Sequence, residues 1–314
     1  MTNLNPKKAL IIGYGSIGQR HAEVLSEMGL DVAVISQHAQ DISFPLFTSL
    51  QKALSLFKPD YVVVANRTSE HIETLNRLDS LDFKGICLVE KPLSTNPLPT
   101  NWAPSFQIKV GYVLRFHPLI QKAMQILKGK RLLSIHSYVG QYLPNWRPNT
   151  DYRTCYSAIK EQGGGALRDL SHELDYISLL AGAWEKVSAL GGHFSDLEIN
   201  TDDVYGLLLK SKHCSVVLCQ LNYLDHNLRR DCSIQYDGGT LYLNLIENKI
   251  IHNTIESSVE LERNDIFKNM HKSILSEKEE SCACSFKEAI QTVELINAAE
   301  KSVEKGTWIC QKNQ

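Results

Sequence analysis

Apolar residues in the first third of the chain fall into short unbroken runs. Ala9–Ile12, Tyr61–Ala65 and Ile86–Val89 are such runs, and Asp31–Ile35 is another behind one acidic residue. Runs of this length suit strands buried on both faces. Between them the period lengthens: Ser16 to Met28 puts Ile17, Val24, Leu25 and Met28 on one side of a helix. Leu46–Phe57 is expected as a short helix, and Thr68 or Ser69 caps another that runs through Leu78. Leu93–Ser105, rich in proline, threonine and asparagine, is a loop, Ile108–Leu114 a strand and Leu119–Leu127 a helix. Strands alternating with helices imply a doubly wound parallel sheet, whose ligand crevice lies at the carboxyl ends of its strands.

The pattern changes further on. Leu132–Tyr142 alternates as a strand, and Leu143–Gln162 is a long loop interleaving Tyr142, Trp146, Arg147, Tyr152, Arg153, Tyr156 and Lys160 at and within its borders. Loops this long are functional or disordered, and so many anchoring aromatics favour function. Gly163–Gly165, a backbone that a ligand can approach closely, then opens a helix with Leu167, Leu170, Leu174, Ile177 and Leu180 as its apolar stripe. Val187–His193, Asp203–Lys210, Ser215–Leu221, Arg230–Tyr236 and Thr240–Leu245 are candidate strands, with a turn at Asp237–Gly239. Ser285–Val303 closes as a helix. The expectation is an α/β Rossmann-type domain over residues 1–117 and an α+β domain with a largely antiparallel sheet over residues 118–314.

Composition narrows the classes. The 314 residues are 43% hydrophobic and 22% charged, an ordinary globular balance, and a formal charge of -2 argues against a nucleic-acid surface. No apolar run approaches a membrane span, and Met1–Asn5 does not read as a signal peptide, so a cytoplasmic protein is expected. The eight cysteines are scattered and read as reduced thiols, and Cys282-x-Cys284 without a second cluster is a poor zinc site, so no metal is expected.

The candidate chemistry begins at Gly13-Tyr14-Gly15-Ser16-Ile17-Gly18, a G-x-G-x-x-G between a strand and a helix. In that context Gly13 permits the turn, Gly15 leaves room for a pyrophosphate, and Gly18 lets the helix pack closely. Free N–H groups at the helix start would face the phosphates. At the end of the second strand, where an acidic residue would bind the NAD ribose, stand Ser36, Gln37 and His38. The cofactor is NAD or NADP, with a lean to NADP. Asp169 and His172, three apart, would share a helix face, and a carboxylate beside an imidazole suits proton transfer or a structural hydrogen bond.

The glycine motif, Ala65-Asn66-x-Thr68-Ser69-x-His71 and Glu90-Lys91-Pro92 together resemble the Gfo/Idh/MocA family of nicotinamide-dependent sugar oxidoreductases. The resemblance implies cofactor contacts from Gly13 to Gly18, Ser36, Asn66, Thr68, His71, Glu90 and Lys91. It also implies a substrate role for Lys91, and a glycine run followed by an aspartate and a histidine that face substrate. Here the aspartate-to-histidine interval is three, where many members have four. His172 is then the acid/base, Asp169 its support and Lys91 the group polarising the substrate oxygen. Tyr112, Arg115, Phe116 and Pro118 also match the family. The stretch Gln141-Tyr142-Leu143-Pro144-x-Trp146-Arg147-Pro148 with Asp151-Tyr152-Arg153 resembles the surface-polysaccharide branch, so Arg115, Trp146, Arg147, Tyr152, Arg153 and Tyr156 are candidate substrate contacts. An anionic or nucleotide-linked sugar follows, since a neutral polyol would leave buried cations unpaired. The family also implies a homo-oligomer through the second-domain sheet. The competing class is a catalytically silent NAD(P)-binding sensor or scaffold.

Overall fold

The computed structural model describes residues 7–37, 42–99, 101–147, 150–276 and 281–311. The chain runs β1 (Lys8–Ile12), α1 (Ser16–Glu27), β2 (Asp31–Ile35), β3 (Leu46–Phe47), α2 (Leu50–Lys52), β4 (Tyr61–Val64), α3 (His71–Ser80), β5 (Ile86–Val89), β6 (Gln107–Val110) and α4 (Pro118–Leu127). It continues through β7 (Leu132–Gly140), α5 (Ala166–Asp169), α6 (His172–Ala181), β8 (Trp184–Gly192), β9 (Val204–Ser211), β10 (Cys214–Asn222), β11 (Arg229–Tyr236) and β12 (Gly239–Asn244). The last elements are β13 (Lys249–His252), β14 (Ile255–Ser258), α7 (Asp265–Leu275), β15 (Cys284–Ser285), α8 (Phe286–Lys305) and β16 (Ile309–Cys310). These fold as two compact units: Met1–Val113 with Arg263–Ala289, and Leu114–Glu262 with Ile290–Gln314.

The first unit holds a sheet in the order β15-β6-β5-β4-β1-β2-β3, parallel except at β15. The order reverses beside β1, the switch point where doubly wound sheets open a ligand crevice. Leu10, Ile11, Val62, Val63, Leu88 and Val89 are fully buried, as unbroken apolar runs require when both faces are covered. Leu46–Phe57 is not a single helix. Leu46 and Phe47 pair with Val34 and Ile35 as an edge strand, and Ser49 caps α2, whose Lys52 is followed by a π turn through Phe57. Pro45 explains the start: it supplies no N–H of its own, and its carbonyl takes the Val34 N–H at 2.9 Å, drawing the chain into the sheet.

The second unit holds a sheet in the order β14-β13-β12-β11-β7-β10-β9-β8-β16, antiparallel except where β10 runs parallel to β7. One face is packed by helices: Ser137 on β7 meets the Tyr176 hydroxyl of α6 at 2.6 Å, and Trp184 on β8 donates to the Gln291 carbonyl of α8. Alternation along β9 and β10 leaves Leu208 and Leu218 opposite one another on the other face, both exposed.

The glycine run does not feed one continuous helix. The chain turns at Leu170 and Ser171, between α5 and α6, where Ser171 N–H bonds the Arg168 carbonyl and Glu173 N–H the Leu170 carbonyl, both in the tighter three-residue step. Partners on both sides of the turn hold it. Glu173 and Asp175 of α6 are buried, Glu173 in a fork with Arg230 (2.8 and 3.1 Å) and Asp175 in a fork with Arg115 (2.8 and 2.7 Å).

Both side chains of the Arg115–Asp175 pair are 2% exposed. Arg115→Met should therefore destabilise the second unit by about 3–5 kcal/mol, because Asp175 would be left buried and charged. Arg115→Met with Asp175→Leu should recover much of that loss; urea denaturation of the three variants checks the order.

Candidate active site

Each glycine of the first turn has a different reason to be there. Gly13 sits at φ +96, and a Cβ on it would stand 2.6 Å from the Asn66 nitrogen; on Gly18 it would stand 2.1 Å from the Gly13 carbonyl oxygen. Both are fixed by the protein's own backbone. Gly15 has an ordinary extended backbone, and a Cβ there would meet nothing within 4 Å. The absence of a side chain at Gly15 thus keeps open a space that the protein does not fill. That space lies at the start of α1, where no side chain caps the helix and no acidic residue occupies the first turn, so the N–H groups of Ser16, Ile17 and Gly18 suit an anion. The turn therefore fits a dinucleotide pyrophosphate.

The neighbouring strand ends carry the other expected contacts. Asn66 follows β4, donates from Nδ2 to Thr74 Oγ1 at 2.9 Å, and leaves Oδ1 buried with no partner among the described residues. An acceptor so placed suits a hydroxyl or amide of a bound cofactor. Thr68 and His71 are buried. His71 Nδ1 lies 3.0 Å from the Pro92 carbonyl and Nε2 3.3 Å from the Asn66 carbonyl, so the ring ties the turn after β4 to the one after β5. Burial lowers its pKa. Ser36 follows β2, and Tyr14 is part of the glycine turn. His38 lies outside the described residues.

Glu90 and Lys91 follow β5. Glu90 is 8% exposed; its Oε1 accepts from His21 Nε2 at 2.9 Å and its Oε2 from the Lys91 backbone N–H at 3.2 Å. Burial pushes this carboxyl up, but bonding to His21 and the adjacent Lys91 outweigh it and hold it below the usual range. The bond continues inward: His21 Nδ1 lies 2.9 Å from His271 Nε2, and the Tyr61 hydroxyl 2.9 Å from His271 Nδ1. Burial holds His271 well below the ordinary histidine range.

In the second unit Asp169 is the centre of a hydroxyl cluster. Its Oδ1 accepts from the Tyr156 hydroxyl, and its Oδ2 from Ser157 Oγ at 2.7 Å and the Tyr223 hydroxyl at 3.2 Å. The carboxylate thereby anchors the loop before the glycines. Those glycines are occupied by the protein itself: a Cβ on Gly164 would stand 2.2 Å from the Tyr156 carbonyl oxygen, and one on Gly165 2.3 Å from Asp202 Oδ1. Their smallness serves internal packing, where the sequence suggested approach by a ligand. His172 opens α6, three residues beyond Asp169 and across the turn at Leu170–Ser171.

The candidate substrate residues separate into two groups. Arg115 is committed to Asp175, and exposed Arg153 grips Asp151 with a fork and Glu198 at 3.0 Å. Trp146, Arg147 and Tyr152, with Leu143, Pro144, Thr150, Cys155 and Ser157, line a small open concavity. Trp146 is steadied by its Nε1 bond to the Gln141 carbonyl at 3.1 Å and an edge-on contact with Tyr223. Arg147 is exposed at this concavity and has no ion-pair partner among the described residues. Among the described residues no group of three or more His, Cys, Asp or Glu side chains is placed to hold a metal ion, and no helix is long and apolar enough to cross a membrane. His21, His271 and Tyr61 are members of the Glu90 network that sequence reasoning missed; His21 and His271 stand 250 residues apart, beyond any local spacing signal.

Sheet order, switch point and glycine turn define a Rossmann-type dinucleotide-binding domain. Residues 7–101 match the model of the oxidoreductase family GFO_IDH_MocA, NAD-binding Rossmann fold. The fold likeness extends further. GenD2 from gentamicin A biosynthesis, solved with NAD, is 18% identical with a TM-score of 0.79 over 98% of this chain and 97% of its own. Levoglucosan dehydrogenase, solved with NADH and levoglucosan, is 14% identical with a TM-score of 0.84 over 98% of this chain and 100% of its own. The WlbA dehydrogenase from Bordetella pertussis, solved with NADH and UDP-GlcNAcA, is 17% identical with a TM-score of 0.79 over 98% of each chain. A search of curated proteins by sequence found no significant match.

The buried rings give a pH dependence with a definite sign. His71 and His271 are lowered from the ordinary value of 6.5, so below that pH the unfolded chain binds protons that the folded unit does not. Stability of the first unit should be greatest above pH 6.5 and fall as pH drops beneath it. Amide hydrogen exchange on β1 and β4 at pH 7.5 and 5.5, corrected for intrinsic rates, should show this loss, and His271→Gln should shrink the difference.

Proposed function

We propose that the protein is an NAD(P)-dependent sugar oxidoreductase, moving a hydride between nicotinamide and a sugar carbon that bears a hydroxyl or carbonyl. The observation that carries this is the glycine turn: Gly13 and Gly18 are packed by the protein, while Gly15 is open at an uncapped helix start. The bound nicotinamide supplies the hydride chemistry, leaving the protein to orient two reactants and manage one proton. In this reading Lys91 polarises the substrate oxygen and His172 takes or gives its proton. Asp169 acts through the Tyr156–Ser157 loop that it anchors.

For the substrate we propose an anionic, nucleotide-linked sugar of the kind used in surface-polysaccharide synthesis. Arg147, unpaired among the described residues at a concavity with Trp146 and Tyr152, supports it. Planar rings can lie along a pyranose or a base, and a guanidinium can grip phosphate or carboxylate by two bonds. The WlbA dehydrogenase, with UDP-GlcNAcA bound, is one similar fold in keeping with this chemistry. The cofactor is NAD or NADP, and the lean to NADP rests on Ser36 standing where an acidic residue would prefer the ribose hydroxyl. We further propose a homo-oligomer formed through the open sheet face, where Leu190 is 82% exposed near Leu208 and Leu218.

Gly15→Val should weaken NADH and NADPH binding at least tenfold, read by reduced-cofactor fluorescence, while thermal unfolding changes little, because its Cβ meets only open space. Wild-type protein that binds neither cofactor overturns the reading.

Lys91→Ala and His172→Ala should each lower turnover by about 10²–10⁴ while the fold is kept. The substrate is found by screening cofactor oxidation and reduction over nucleotide sugars, sugar acids and neutral polyols. Arg147→Ala should raise KM for the anionic substrate by about tenfold or more, since a hydrogen bond to a charged group contributes about 1.5–3 kcal/mol. Arg153→Ala should do less, its fork being already used by Asp151. Best turnover on a neutral polyol, indifferent to Arg147, defeats the substrate assignment.

A further inference from the structure

Tyr61, His271, His21 and Glu90 come from β4, α7, α1 and β5, and the first three are 0% exposed. Their contacts of 2.9 Å each join them end to end. One assignment of protons uses every group. Tyr61 O–H donates to His271 Nδ1, His271 Nε2–H donates to His21 Nδ1, and His21 Nε2–H donates to the Glu90 carboxylate. A doubly protonated His21 would reverse the two inner bonds and leave the buried Tyr61 O–H facing a ring N–H, with no other partner among the described residues.

A core that had only to be stable has no need of this row. Apolar side chains of similar volume are commonly as stabilising as buried polar ones, and each member of a polar row depends on the next. The row also stops at a particular place. Glu90 Oε1 ends it, and Glu90 Oε2 accepts the backbone N–H of Lys91. Gly111, at the end of β6, makes room for that side chain: a Cβ there would stand 2.7 Å from Glu90 Oε1.

We propose that Tyr61, His271 and His21 form a buried positioning relay that fixes the Glu90 carboxylate and, through it, the backbone from which Lys91 projects. None of the three is a catalytic residue; they act through Glu90. The proposal rests on the reading of Lys91 as a group that acts on substrate.

The test separates positioning from packing. His21→Leu keeps the volume and removes the donor, whereas His21→Gln can restore a donor near the position of Nε2. His21→Leu should lower kcat by about ten- to a hundredfold, with cofactor Kd and KM within about threefold, since small misplacement of a reacting group costs up to about a hundredfold. His21→Gln should regain about tenfold of that loss. Tyr61→Phe removes one hydroxyl four hydrogen bonds from the Lys91 N–H, and should lower kcat several-fold.

A second readout needs no turnover. In protein labelled with 15N-lysine, the Lys91 amide resonance, identified by its loss in Lys91→Arg, should move in Tyr61→Phe. Variants that lose only thermal stability, with kcat per folded molecule and the Lys91 amide both unchanged, overturn the relay. If wild-type protein turns over no sugar while the amide still moves, the relay stands and the oxidoreductase reading falls.

Discussion

Carboxylates taken out of water must be held by something, and this constraint orders both units. In the second, Asp169, Glu173 and Asp175 fall within seven residues of chain and all are buried. Asp169 collects the hydroxyls of Tyr156, Ser157 and Tyr223, Glu173 has Arg230, and Asp175 has Arg115. Stranding any one of them would cost several kcal/mol, so the short helices α5 and α6 cannot slide or rotate without breaking a pair. His172 sits between Asp169 and Glu173 in the sequence, and its position is fixed from both sides.

The first unit applies the same rule with a histidine and a backbone N–H as the partners. Glu90 keeps its charge under cover because His21 and a backbone N–H face it. A permanently cationic partner would neutralise the carboxylate more completely. An imidazole supplies the hydrogen bond without carrying a permanent charge.

Much of this was legible in the sequence because it depends on neighbours along the chain. The apolar runs gave the parallel strands, and the glycine spacing marked the turn at β1. What failed depended on distant partners. Leu46 and Phe47 join an edge strand because β2 lies beside them, which no helical periodicity can register. The glycines before α5 looked like a ligand approach, and two of them, Gly164 and Gly165, are instead required by the Tyr156 carbonyl and by Asp202. Arg115, Arg147 and Arg153 are alike as letters; only the fold tells that Asp175 takes the first and that Asp151 and Glu198 take the third. The helix α7 did carry a local signal, Ile266, Phe267, Met270, Ile274 and Leu275 at helical spacing, which the reading of the sequence passed over.

The segment of residues 263–289 belongs to the first unit, although the whole of residues 114–262 is made before it. During synthesis the β1–β6 sheet therefore emerges without α7, and Tyr61 and His21 lack His271. At about 5–20 residues per second that interval lasts on the order of ten to thirty seconds. For that time water must hydrate the polar groups that His271 later satisfies, and the apolar surface destined for Phe267, Met270 and Ile274 stays uncovered. The nascent chain thus has a window of exposure in which a chaperone could act, and that window closes with the arrival of a single helix.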